Sequence, residues 1–115
     1  MPEAQSPEAP VPGQLVIEKS RDADTVVLAL SGELDLASAP MLERELREAE
    51  ATGPRRIVID LGGLAFMDST GLQALLRARE RANNDGHQLS LRRAPHQVQR
   101  VFELTKTVDA FTFED

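Results

Sequence analysis

One short run limits the folds open to this chain more than any other: Arg56-Ile57-Val58-Ile59-Asp60-Leu61. It is short, β-branched and apolar at consecutive positions, which reads as a buried strand. Patterns of helical spacing stand on both sides of it. Upstream, Ala39, Leu42, Leu46 and Ala49 fall on one face of a helix, with Glu43, Arg44, Glu45, Arg47 and Glu48 elsewhere. Downstream, a helix is predicted from about Thr70 to Asn83, with Leu72, Leu75, Leu76 and Ala82 as its buried face. A strand between two helices calls for parallel crossovers, which are right-handed in nearly all proteins.

The remaining segments complete the pattern. Leu15 and Ile17, then Val26, Leu28 and Leu30, alternate with other residues as strands do. The polar stretch Ser20–Asp24 between them predicts a hairpin. Val27 and Ala29 make the second strand apolar on both faces, which places it inside the sheet. Ser31–Leu36 reads as a short polar loop with two acids, and Ser38 and Pro40 suit the start of the first helix. Gly53-Pro54 and Asn83-Asn84-Asp85-Gly86 are stop signals. Gln88–Leu91 is a fourth strand. Pro95 opens a third helix with Val98, Val101, Phe102 and Leu104 on its apolar face, and a last strand covers Phe111–Phe113. The order is β-β-α-β-α-β-α-β, an α/β fold with a mixed sheet of four to five strands, a hairpin at its edge and about three helices packed on it.

Composition narrows the function. The 115 residues fit one domain, of which 1–13, with Pro2, Pro7, Pro10 and Pro12, read as a disordered tail and 14–115 as the folded unit. No Cys is present, so disulfides, thiolate catalysis and cysteine-bound zinc are excluded. The net charge of −6 opposes a phosphate backbone, and Arg92-Arg93 is too short a basic patch to offset it. No run is long enough for a membrane span, and the N-terminus lacks the basic start and apolar stretch of a secretory signal. A cytoplasmic protein that touches neither nucleic acid nor membrane is expected, with another protein as its partner. No phosphate-binding loop is recognisable, so no nucleotide or other cofactor is expected. Nothing demands a dimer, so a monomer is expected.

Chemistry concentrates in Phe66-Met67-Asp68-Ser69-Thr70-Gly71-Leu72. This segment sets a hydroxyl at a helix N-terminus, where four backbone N–H groups lack partners. Asp68 or Ser69 can simply cap that helix, for about 1 kcal/mol. The same N–H groups and the helix dipole also accommodate a phosphate. Gly71 has no side chain, which would let another protein's backbone approach.

Gly32-Glu33-Leu34-Asp35 after the second strand and Met67-Asp68-Ser69-Thr70-Gly71-Leu72 at the second helix resemble the STAS domain of anti-sigma factor antagonists. The resemblance covers roughly residues 14–115, element order included. In that family the serine after the Asp is phosphorylated by a partner anti-sigma factor with kinase activity, so Ser69 is the implied acceptor. Asp35 matches a family acid in the loop beside it, and Asp68, Thr70, Gly71 and Leu72 flank it as implied partner contacts. The resemblance implies a cycle. The unphosphorylated chain binds the anti-sigma factor and frees a sigma factor, phosphorylation releases it inactive, and a phosphatase restores it. The chain is then a substrate, not an enzyme. One departure from the family is Lys106, where many relatives carry a Gly to end the third helix; it has to adopt a left-handed backbone.

Three other readings compete. A receiver-like, Mg-dependent phosphoacceptor would use Asp60 with Glu33 and Asp35 as oxygen donors, but no acidic pair follows the first strand. A serine hydrolase would need His87 or His96 near Ser69, and the segment lacks the Gly-x-Ser-x-Gly elbow. An unswitched STAS scaffold or lipid-transport subunit keeps the fold and drops the phosphate.

Overall fold

The computed structural model describes residues 14–114. The tail expected over residues 1–13 lies outside them. Five strands form one sheet in the order β1 (Leu15–Asp22), β2 (Thr25–Leu34), β3 (Arg56–Met67), β4 (Gln88–Arg92) and β5 (Phe113–Glu114). β1 and β2 pair antiparallel, and every later pair is parallel. The crossovers carry α1 (Ala39–Ala51), α2 (Ser69–Asp85) and α3 (His96–Leu104), with a 3₁₀ turn over Val108–Ala110 before β5. The predicted mixed α/β sheet with an edge hairpin and three helices is therefore present.

Alternation decides which sheet face the helices take. Val26, Leu28 and Leu30 of β2 lie in register with Ile57, Ile59, Leu89 and Leu91 on one face. That face meets Leu42 and Leu46 of α1, Leu72 and Leu75 of α2, and Val98 and Phe102 of α3 in a single core. Phe102 is packed edge-on by Phe111 and Phe113, with ring centroids 5.6 and 5.3 Å away. The opposite face carries ion pairs of Arg56 with Glu114 and of Arg92 with Asp60 and Glu114. These long side chains lie over Val58 and Ser90, which are buried on a face without helices. Arg92 thus serves the sheet, and Arg93 lies over the Phe113 ring at 5.2 Å.

Several expectations need correction. Ser31–Leu34 is not a loop but the end of β2, and β3 runs past Leu61 to Met67. Between Ala29 and Ser31, and again between Gly32 and Glu33, the pairing slips by one residue on β3. Each bulge inserts a residue, so the buried positions of β3 become Leu61, Leu64 and Met67, three apart instead of two. That spacing hides the strand from a period-2 search. The hairpin turn is only Ala23-Asp24, with Ala23 at φ 55. α2 runs to Asp85 and ends on Gly86 at φ 82; Leu76 is only partly buried, while Ala74 and Ala78 let the helix sit close to the sheet. Leu104 is 72% exposed and not part of the α3 packing face. The charged helix faces pair across elements: Glu43 with Arg77 and Arg81, Glu50 with Arg81, and Lys19 with Glu45 and Glu48.

Lys106 behaves as its sequence position requires. Its φ is 60, its N–H reaches Glu103 O at 3.2 Å, and the Thr107 N–H reaches Phe102 O at 2.9 Å. This is a Schellman ending with a side chain where glycine is easier. Lys106→Gly is expected to raise stability by about 1 kcal/mol, read as a higher urea midpoint at unchanged slope.

Candidate functional site

The C-terminal ends of β2, β3 and β4 share one edge of the sheet, and the N-termini of α1, α2 and α3 rise from it. Open parallel sheets present their functional groups at this edge, where strands stop and helix dipoles begin. Ser69 stands on it as the first residue of α2, next to the end of β3, and is exposed.

Asp68 is the cap of α2. Its Oδ1 accepts the Gly71 N–H at 3.0 Å, with extended backbone at φ −106 and ψ −175. Ser69 is therefore released from the capping role that either residue could have taken. The other oxygen of Asp68, Oδ2, accepts the Leu36 N–H at 3.2 Å, and the Asp68 N–H donates to Leu34 O at 3.1 Å. One carboxylate thus joins the start of α2 to the loop between β2 and α1.

Asp35 organises that loop from within. Its Oδ1 accepts the N–H groups of Ala37 at 3.0 Å and Ser38 at 3.1 Å. Ser38 was expected to cap α1 and does not. Its buried hydroxyl bridges Glu33 O at 2.8 Å and the Asp35 N–H at 2.9 Å, which ties the end of β2 to the start of α1. The structure thus brings Asp35, Asp68 and Ser69 together on two linked turns, with both oxygens of Asp68 and Oδ1 of Asp35 accepting backbone N–H groups.

Gly71 and Leu72 point the other way. Leu72 is 3% exposed in the core, so it positions α2 and offers no contact surface. Gly71 is buried too, and a Cβ built there would lie 2.7 Å from Leu34 Cγ and 2.9 Å from Leu34 O. Its missing side chain serves the approach of α2 to β2, not the approach of a partner. Thr70 is half-buried beside Ser69. Sequence reasoning missed Leu36, 73% exposed in the loop that Asp68 holds, and Phe66, 48% exposed near the end of β3.

The competing arrangements do not assemble. Asp60 lies opposite Ala29 while Glu33 lies four residues further along β2, about 13 Å away. Asp60 accepts the Gly62 N–H at 2.9 Å and faces Arg92 at 3.5 Å. Among the described residues no three His, Asp or Glu side chains gather where they could hold a metal ion. His87 precedes β4 at the far end of the sheet; His96 opens α3 on the same edge as Ser69 and is exposed, but Ser69 heads a helix without the Gly-x-Ser-x-Gly elbow of a hydrolase. Two broad surface hollows, of about 760 and 480 Å³, lie at that far end around Asp24, Arg55, Asp85 and His87 and around Arg79, Ser90 and Phe111. Ser69 lines neither.

Comparison with known proteins settles the family. The model described as "Mlab, STAS domain" matches residues 17–108. The chain belongs to the STAS domain family. This STAS domain is 30% identical over 95 residues to the anti-sigma-B factor antagonist of Staphylococcus aureus (strain NCTC 8325 / PS 47), covering 83% of this chain and 88% of that protein. An anti-sigma factor antagonist from Mycobacterium paratuberculosis superposes with a TM-score of 0.80 at 26% identity, over 90% of this chain and 87% of that one. The anti-sigma factor antagonist SpoIIAA in its unphosphorylated form shares the fold, with a TM-score of 0.73 at 22% identity over 87% and 89% of the two chains. Among the described residues no helix is long and apolar enough to cross a membrane.

Proposed function

We propose that this STAS domain is an anti-sigma factor antagonist: a cytoplasmic protein that binds an anti-sigma factor with serine-kinase activity and is turned off when that partner phosphorylates Ser69. The observation that carries the proposal is the division of labour at the turn. Asp68 caps α2 and Ser69, one residue on, is left exposed at the helix N-terminus. A phosphate there adds a charge of about −1.5 to −2 at pH 7 without breaking the cap or the core. The kinship to relatives named for antagonising anti-sigma factors supports the partner class.

The chain acts as substrate and ligand. Asp35 and Asp68 hold the acceptor turn in shape, and Thr70 borders it. A phosphatase completes the cycle by returning Ser69 to its hydroxyl.

The test is phosphopeptide mass spectrometry on the protein isolated from its source organism during growth and under stress. An acid-stable phosphate on Ser69, absent from Ser69→Ala, is the expected result. An unmodified Ser69 under all conditions would favour the second reading, an unswitched scaffold or lipid-transport subunit. An acid-labile phosphate on Asp60 would return the receiver.

A further inference from the structure

Among the described residues three large hydrophobic side chains stand in solvent: Leu36 at 73%, Phe66 at 48% and Leu104 at 72% exposure. A single exposed leucine says little, because much of any protein surface is apolar. Their placement says more. Leu36 lies in the loop that Asp68 pins, and Phe66 lies three residues before Ser69, so two of the three border the acceptor turn. Leu104 ends α3, which runs away from that edge, and so lies at the far pole.

Both bordering residues sit on ordered backbone. The Leu36 N–H is held by Asp68, and the next two N–H groups by Asp35. Phe66 lies within β3, opposite Glu33. Apolar groups on a preorganised backbone lose little freedom on contact, which suits them as anchors. Both oxygens of Asp68 and Oδ1 of Asp35 accept internal N–H groups, and Glu33 stands across from Phe66.

We infer that Leu36 and Phe66 are the apolar anchors on which the kinase that modifies Ser69 seats itself; this rests on the reading of Ser69 as acceptor. Transfer forms a bond from Ser69 Oγ to the γ-phosphorus of ATP and breaks the bond to ADP, while the hydroxyl proton passes to a base on the kinase. Reacting atoms must come within about 3–3.5 Å. A protein surface brought that close to a residue on an open turn also covers the side chains bordering it. The matching surface on the kinase is then an apolar socket.

The experiment uses purified, unphosphorylated full-length chain, an extract of the source organism and ATP, and follows the initial rate of Ser69 phosphopeptide formation. Leu36→Ser and Phe66→Ser are each expected to slow the reaction about tenfold or more at low substrate concentration. The rate should recover toward wild type at high concentration, since the anchors serve encounter rather than chemistry. Leu104→Ser, an equally exposed leucine at the far pole, should match wild type. Unchanged thermal midpoints separate this effect from misfolding. If wild type is phosphorylated and both anchor variants stay within twofold of it, the anchors are wrong and the acceptor reading stands. A tenfold loss in Leu104→Ser would also overturn the assignment, by showing that any exposed leucine matters equally. If wild-type Ser69 takes no phosphate, the acceptor reading falls and the anchors fall with it.

Discussion

Ser69→Asp is expected to weaken binding to the kinase partner by on the order of a hundredfold, while Ser69→Ala forms a complex that ATP no longer dissolves. The estimate comes from Coulomb's law. A charge at residue 69 facing an acid of the partner about 6 Å away, at an effective dielectric near 20, is repelled by about 3 kcal/mol, which is roughly two decades in affinity. A phosphate carries more charge than an aspartate, so the modified wild type should bind at least as weakly as the Asp variant. The chain itself pays little for either, because negative charge at the first turn of a helix is favourable. Asp68 keeps its place on the Gly71 N–H, so the cap survives. The binding loss should therefore come without a loss of stability. Titration calorimetry gives the affinities, and a thermal scan of each variant shows whether the fold is intact. Equal affinity for the two variants would remove the switch and leave the STAS domain standing.

The sequence displayed the parts of this mechanism that rest on local rules. A β-branched run at Ile57–Ile59, two helices with apolar faces, and glycine at the α2 terminus were enough for the element order. Asp-Ser-Thr-Gly at the head of a helix was enough to mark the hydroxyl. What escaped depended on pairing between segments. Two bulges in β3 turn a two-residue period into a three-residue one, which hides the strand beyond Leu61. Ser38 has a cap's side chain and a cap's place, yet the Glu33 carbonyl and the Asp35 backbone N–H claim its hydroxyl. Leu36 reads as one more leucine after a strand; only the Asp68 bond to its N–H, and its exposure, set it apart. Gly71 shows the same limit in sharper form. A glycine beside an acceptor suggests room for a visitor, but its space is already taken by Leu34.

Gly71→Ala puts that last point to a test in which two effects have opposite signs. Gly71 is a helical residue of α2, and helix propensity alone makes alanine better there by about 1 kcal/mol. The contact argues the reverse. The new methyl would lie 2.7 Å from Leu34 Cγ and 2.9 Å from Leu34 O, well inside contact distance. The Leu34 side chain could turn aside, but its carbonyl is fixed: it belongs to β2 and accepts the Asp68 N–H at 3.1 Å. Overpacking costs about 1–3 kcal/mol, and a neighbour that cannot turn aside puts this case in the upper part of that range, about 2–3 kcal/mol. The clash should win, and a net loss of about 1–2 kcal/mol is expected, lowering the melting point by roughly 4–15 °C for a domain of this size. Urea unfolding at constant slope would measure it directly. If instead Gly71→Ala is as stable as wild type or more so, α2 can slide outward at no cost. The close seat of α2 on β2 would then not be what holds Ser69 at the sheet edge, and the Asp68 bridge to Leu36 alone would have to hold it.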